Sequence, residues 1–489
     1  MKTLINVSTW RLDSFSPYQC PTDFYYAKVA KKFYDILWFT PLGKDCGEFL
    51  SMEMSMSLAH YLEDVVSGFG LWATFTAKHK ELYGKYLPFH TIDEENYYTD
   101  EVNVEDVRLI LWMLLQNSKE ETFCNPENPY LCRTADLIYA EMEKQFEQAP
   151  INENMTEKVL KEGSFNDFYY IRFLLDRLLK TYLIAPFNDF NRDSVEDNLK
   201  GLFSNLKESD FGYIVDSALA LNKKTGPLNL CPKEWLAALL AYWGKEEESQ
   251  WVASIQSLPY NIYHIGSYDA EKLLLKDIKD TEFVIPRNSF KQLPDSTLEE
   301  NEYIIASLAQ YRGTWQTNGM SSWMSNPSAF QAQKESLIPK EGTTELNRKI
   351  VESNNGKRLL FFQDYKAFFH WMTGHFKVDK NIQLPPEIKD LKYPAIYVPE
   401  EGDMTVMSNG ALAIKDAANP YYDRKKAEEE SFNYLTSTDM IGDEALHYLI
   451  DHHNLPDACI NSIHGIERGK QLVQENIDFI ARFMRVSNY

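Results

Sequence analysis

The sequence lacks the short motifs by which many enzymes are identified. Its 489 residues contain no phosphate-binding G-x-x-x-x-G-K-[ST], no zinc-binding H-E-x-x-H and no nucleophile-carrying G-x-S-x-G. The six cysteines include no C-x-x-C pair, and the closest two, Cys124 and Cys132, are too far apart for a zinc knuckle. Few, scattered cysteines are typical of a reducing compartment, so we interpret them as buried free thiols.

Positive charge is also in deficit. Lys and Arg number 50 against 72 Asp and Glu, which gives a net charge of −22. A general basic surface for nucleic acid or for an anionic membrane is therefore disfavoured, because both depend on clustered positive charge. We expect neither nucleic acid nor a membrane as a partner.

Long apolar runs are missing as well. The longest, LILWMLL and LAALLAYW, are too short to span a bilayer, and the start MKTLINVSTWRLD does not have the design of a signal peptide. Aromatic residues are plentiful, with 28 Phe, 29 Tyr and 10 Trp, and can fill sizeable cores. These features predict a soluble, cytoplasmic chain with several domains.

Helical periodicity dominates the first half. In PTDFYYAKVAKKFYDIL, Thr22 precedes aromatic and aliphatic residues at helical spacing, and Gly68 and Gly70 are plausible helix ends. DFYYIRFLLDRLLKTYLIAP is apolar on more than one face and predicts a buried central helix. We therefore expect a helical domain over residues 1–255.

The pattern changes near Tyr260, where short segments rich in Ile, Val, Tyr, Phe and Trp alternate with turn residues. They predict a small antiparallel, β-barrel-like module with a following polar linker over residues 256–345. Residues 346–489 predict a mixed α+β domain that ends in helices, with a hairpin turn at Asn409-Gly410 and a strand after it. The expected fold class is α+β and predominantly helical.

Seven short motifs carry a resemblance across most of the chain. They are TDFYY, YLEDVVSGFGLW, KELYGKYLPF, VNVEDVRLILW, LAQYRGTWQTNG, NPYYD and NLPDA. Together they resemble an uncharacterised bacterial family from anaerobic gut bacteria that is catalogued only as a domain of unknown function. The resemblance implies a cytoplasmic bacterial protein, and it supplies no catalytic residues and no cofactor.

A histidine-rich stretch, ALHYLIDHHNLPDACI, lies near the C-terminus. On a helix, His447 and His452 fall on opposite flanks of the apolar stripe, while Asp443 and Asp451 lie four residues to either side of His447. This spacing favours an ion-pair ladder at a helix that ends before Pro456 over a closed metal site.

Metal binding is still one hypothesis for this helix. Glu444 and His447 match one half of a carboxylate-bridged di-metal pattern, and the nearest second group is His60 with Glu63. The order of His60 and Glu63 is reversed, so a structural role of both groups is the favoured interpretation.

Four residues of the predicted β module are candidates for binding. Tyr311, Arg312, Trp315 and Trp323 could stack on a ligand or partner, although tryptophans also fill small cores.

Two functions remain open from the sequence. The first is a binding or scaffold protein that acts through protein or small-ligand contacts and uses no cofactor. The alternative is a metal-dependent hydrolase or oxidoreductase built on His60, Glu63, Glu444 and His447.

Overall fold

The fold is taken from a computed structural model. It describes residues 5–119, 123–203, 206–290, 293–336, 341–376, 391–438, 441–455, 458–485 and 489. The chain forms two compact units, Met1–Leu337 and Ile338–Tyr489. The predominantly helical α+β fold class is confirmed, whereas the separation of residues 1–255 from a β module at 256–345 stays a prediction.

The first unit begins with helices and adds a sheet. Its α-helices are α1 Val7–Trp10, α2 Asp23–Trp38, α3 Pro41–Ser67, α4 Leu71–Tyr83, α5 Val104–Asn117, α6 Pro129–Phe146, α7 Glu157–Glu162, α8 Phe168–Leu178, α9 Asp189–Lys200, α10 Glu208–Asn222, α11 Pro232–Tyr242, α12 Glu246–Ala253, α13 Asp295–Glu300 and α14 Ser328–Ser336. Short 3-10 turns span Arg11–Asp13, Ala185–Phe187 and Arg287–Ser289. Of the described helices, none is both long enough and apolar enough to cross a membrane.

Glycines and one carboxylate define the junction of α3 and α4. Gly68 ends α3 with φ +62° and Gly70 precedes α4 with φ +89°, so the predicted helix ends are confirmed. The Asp64 carboxylate accepts from the backbone N–H groups of Gly70 at 2.7 Å, Leu71 at 3.1 Å and Trp72 at 2.8 Å. Asp64 therefore caps α4, because its carboxylate accepts hydrogen bonds from N–H groups that have no partner within the helix.

Helix α8 is buried along one face only, whereas its sequence predicts a buried central helix with more than one covered face. Its buried members include Ile171, Leu174 and Leu178. The rest of its surface is not uniformly covered, because Tyr169 and Phe173 are exposed. Residues four apart lie on the same side of a helix, so α8 presents an aromatic patch away from its core.

A curled antiparallel sheet follows the helices. Its strands are β1 Gln256–Tyr268, β2 Lys272–Lys276, β3 Glu282–Pro286, β4 Tyr303–Tyr311, β5 Thr314–Thr317 and β6 Ser322–Met324. The strand order is β3-β2-β1-β4-β5, and β6 also pairs with β4. One face of β1 and β4 packs on α9 and α10 through a shared cluster that includes Ile214, Leu219, Ile262 and Ile305.

The second unit surrounds a three-stranded antiparallel sheet, β7-β8-β9. Its elements are α15 Glu341–Ser353, β7 Leu359–Phe361, α16 Tyr365–His375, β8 Ala395–Tyr397, β9 Thr405–Met407, α17 Gly410–Ala413, α18 Arg424–Thr436, α19 Asp443–Asp451, α20 Ile466–Gln474 and α21 Ile477–Met484. Alternate residues of β8 enter two different cores, with Ala395 and Tyr397 on one face and Ile396 on the other.

Two local expectations were wrong in this unit. Asn409 takes φ +55° and leads into α17 instead of a hairpin and a strand. A Cβ atom on Gly410 would lie 2.6 Å from the Cβ of Ala395, so α17 sits directly on β8. The polar stretch that predicted a linker forms α15 over its described part, because Leu346 and Ile350 recur four residues apart and pack in a core.

Candidate ligand-binding cleft

A cleft of about 960 Å³ opens in the first unit. Its lining comes from helices α8 and α10, from residues within 288–290 and 293–297, and from the turn between Thr317 and Trp323. Ligand-binding cavities have volumes of roughly 300–1,000 Å³, so the cleft is large enough for a small organic molecule.

The walls of the cleft are rich in aromatic rings. Tyr169 and Phe173 project from α8, and the exposed Tyr213 projects from α10. Across the cleft, the rings of Phe290 and Trp323 lie 5.5 Å apart. Exposed aromatic side chains that share one concave surface are typical of a binding site, because aromatic rings bury large apolar areas.

Arg172 lies among these rings and is only 3% exposed. Its Nε donates to Asn318 Oδ1 at 2.8 Å, and its Nη1 donates to the Asp176 carboxylate one helical turn away. Its buried Nη2 finds no acceptor among the described residues. A buried donor without a partner lowers the stability of a protein by about 1–3 kcal/mol, and nearly all buried polar groups are therefore hydrogen-bonded. Nη2 is an exception to this rule.

Asn318 holds the guanidinium group in place. Its Nδ2 donates to the Ser217 carbonyl at 2.8 Å and to Ser307 Oγ at 3.2 Å. Its own carbonyl accepts from the Tyr260 hydroxyl at 3.1 Å. The next residue, Gly319, has φ +83°, and an added Cβ atom would lie 2.4 Å from Ser217 Oγ. This turn is thus attached to α10, β1 and β4, and Arg172 is positioned by a rigid partner.

Asp176 is the charged partner of Arg172. Burial raises the pKa of the Asp176 carboxyl, the adjacent Arg172 lowers it, and Asp216 raises it. One oxygen accepts from Arg172, and in the part of the chain that the structure describes no donor reaches the other oxygen. The Asp176 side chain remains 26% exposed and lines the cleft.

Two of the four predicted binding residues lie away from the cleft. Tyr311 is buried and donates its hydroxyl to the Phe165 carbonyl at 2.6 Å. The Arg312 guanidinium lies 3.9 Å from the ring of Trp251. The first contact joins the sheet to the loop before α8, the second joins it to α12, and neither residue lines the cleft.

The two predicted tryptophans differ in position. Trp315 packs against the core of the sheet, with its ring edge-on to Phe283 at 5.1 Å. Trp323 packs against the same core and also lines the cleft. The structure therefore brings Trp323 alone of the four to the cleft, and a ligand-binding role of the four stays a prediction.

His60 and Glu63 are buried together in the first unit. His60 Nδ1 lies 3.8 Å from Glu63 Oε2, and the His60 ring stacks on Trp10 with centroids 3.5 Å apart. The other Glu63 oxygen accepts from Asn152 Nδ2 at 2.9 Å. These contacts resemble a structural polar cluster within the helical core.

Glu444 and His447 are located in the second unit, on α19. Glu444 accepts from the Tyr397 hydroxyl at 3.0 Å, and His447 is half-buried. Asp443 pairs with the buried Arg485 at 3.3 Å, and no ion pair among the described residues joins it to His447. Helix α19 ends at Asp451, so the predicted helix end before Pro456 is confirmed, and Pro456 itself lies outside the described residues.

The two predicted metal pairs thus belong to different compact units. Within the described ranges, no three His, Cys, Asp or Glu side chains gather as a metal site. The metal-dependent enzyme stays a prediction.

The ion pair of the cleft was missed in the sequence. Arg172 and Asp176 are four residues apart in FYYIRFLLDRL, which is the usual spacing of a surface ion pair. Both charges lie within an otherwise apolar helix, and this position could have predicted that the ion pair is buried.

A family model described as a protein of unknown function (DUF3843) matches residues 11–258 and 318–486. The first range includes α8 and α10, the second includes Asn318 and Trp323, and segment 288–297 lies outside both. Comparison with curated proteins and with solved structures gave no match.

Proposed function

We propose a small-ligand-binding function for this chain, which belongs to the DUF3843 family of proteins of unknown function. The ligand is a flat aromatic molecule, and its site is the cleft beside α8. The observation that carries the proposal is the buried Arg172 with an unpaired N–H group in an aromatic-walled cavity.

The walls supply the affinity. Tyr169, Phe173 and Tyr213 expose apolar ring surface to water, and a ligand that covers it gains about 25 cal/mol for each Å² buried. Ring-on-ring contacts add about 0.5–1.5 kcal/mol each. A flat aromatic ligand makes better use of these walls than a flexible aliphatic one, because it loses little conformational freedom on binding.

The polar floor supplies the orientation. A ligand atom that accepts from Arg172 removes the cost of an unpaired buried donor.

The cysteines support a cytoplasmic location of the protein. All six described cysteines are free thiols, which is the state expected in a reducing cytoplasm. We place the ligand-binding function there, and the resemblance to a bacterial family supports a bacterial cytoplasm.

The test is isothermal titration calorimetry of the full chain with three naphthalene probes, namely 2-naphthamide, 2-naphthoate and (2-naphthyl)methylammonium. The proposal expects saturable 1:1 binding of at least one probe. Tyr213→Ala should then raise the Kd about tenfold, which corresponds to about 1.4 kcal/mol.

Tyr130→Ala is the matched control. Tyr130 is likewise an exposed helical tyrosine, 58% exposed against 44% for Tyr213, and it does not line the cleft. Its replacement should leave the Kd unchanged. Absence of binding by all three probes, or equal losses in both variants, would refute the proposal.

A further inference from the structure

We infer that the ligand presents an uncharged amide edge, a primary carboxamide or a lactam, to the Arg172–Asp176 pair. Its carbonyl oxygen accepts from Arg172, and its N–H donates to Asp176. This inference rests on the proposed function, because it assigns the chemistry of the ligand that the cleft takes.

The pair has one spare donor group. An arginine guanidinium has five N–H groups and no acceptor. In Arg172, Nε donates to Asn318 and Nη1 to Asp176, so both positions are occupied. Nη2 has no acceptor within the described residues, which leaves it available for a ligand oxygen.

The pair also has one spare acceptor. Arg172 occupies one oxygen of the Asp176 carboxylate, and no described residue donates to the other. The carboxylate lies at the cleft and is partly exposed. A ligand N–H therefore finds an acceptor one helical turn from the spare donor.

Charge balance selects an uncharged ligand group. Arg172 and Asp176 neutralise each other, so a ligand carboxylate would meet the like charge of Asp176, and a ligand ammonium would meet the like charge of Arg172. The groups around Asp176 are also mixed, since Lys180 lowers and Asp216 raises its pKa. An amide has both a donor and an acceptor and carries no charge, so it satisfies both partners without repulsion.

The shape of the cleft agrees with such a head group. An amide that is conjugated to an aromatic ring lies close to the plane of that ring, so ring and head group enter the same aromatic-walled space. Nη2 is covered in this structure, and the carbonyl reaches it after a wall side chain shifts.

The three naphthalene probes distinguish this inference from the proposed function. We expect 2-naphthamide to bind at least tenfold more tightly than 2-naphthoate and (2-naphthyl)methylammonium. If either charged probe binds as tightly as the amide, the amide edge is refuted and the ligand-binding function stands. If no probe binds, the proposed function itself fails.

Asp176→Asn is the decisive variant, with thermal melting as the check that it folds. It removes the negative charge and leaves Arg172 unbalanced, so the preference for 2-naphthamide over 2-naphthoate should fall at least tenfold or reverse. Asp197→Asn is the control, because Asp197 also pairs with a cation on its own helix, Lys200 at 2.9 Å on α9, in an exposed position away from the cleft. An unchanged probe preference in Asp176→Asn would refute the role of this carboxylate.

Discussion

Replacement of Asn318 by alanine tests whether the polar floor of the cleft is held by this one side chain. The substitution removes three hydrogen bonds of the side chain, those with Arg172, Ser217 and Ser307. All of these groups are buried, so water does not replace the lost partner.

The magnitude follows from the number and kind of bonds. Two neutral hydrogen bonds contribute about 0.5–1.5 kcal/mol each, and the bond from the charged Arg172 contributes about 1.5–3 kcal/mol. We therefore expect Asn318→Ala to lower the free energy of unfolding of the first unit by about 2.5–6 kcal/mol. Ligand affinity should fall in the folded variant as well, because the guanidinium loses its fixed orientation.

The measurement is urea denaturation followed by tryptophan fluorescence. Asn198→Ala is the control, because Asn198 makes one exposed hydrogen bond to the Ser194 carbonyl at 2.8 Å, and its loss should cost less than about 0.5 kcal/mol. If Asn318→Ala and Asn198→Ala destabilise the protein equally, Asn318 does not organise the floor, and the reasoning about Arg172 fails with it.

Two further predictions concern buried charges outside the cleft. Burial raises the pKa of Asp106 to about 7, so the folded state binds a proton more readily than the unfolded state. The free energy of unfolding should therefore rise by about 1 kcal/mol as the pH falls from 8 to 6. Chemical denaturation at the two pH values should show this gain in the wild type and not in Asp106→Asn, and an equal gain in both proteins would contradict the prediction. Arg485 is 2% exposed and donates to four backbone carbonyls of the second unit. Arg485→Ala should therefore lower the free energy of unfolding by about 3–5 kcal/mol in chemical denaturation, whereas replacement of the exposed Lys425 by alanine should leave it almost unchanged. Similar losses in both variants would show that the buried network contributes little.

Local signals were sufficient for much of the fold. The end of α3 follows from Gly68, whose positive φ is accessible to glycine at little cost, and the sheet follows from its β-branched and aromatic segments. The element at residues 410–413 was not predictable in this way. Its helical form depends on contact between Gly410 and Ala395, which lies in another element.

The cleft depends even more on distant residues. Arg172 would be an ordinary surface arginine if α8 stood alone, and its burial depends on Asn318, far along the chain. Asn318 in turn depends on Ser217 and Ser307, which belong to a helix and a strand. Of the predicted binding residues, Trp323 lines the cleft because β6 pairs with β4, a pairing that no local pattern specifies.

The shared core of α9, α10, β1 and β4 has a consequence for synthesis of the chain. Helix α10 ends at Asn222, whereas β4, whose Ile305 covers it, ends at Tyr311. Translation proceeds at about 5–20 residues per second, so the apolar face of α10 emerges roughly 5–20 seconds before β4 is made. During that interval Ile214 and Leu219 can pack on α9 and on β1 but not on β4. The core shared by these elements is therefore completed only when β4 has been translated.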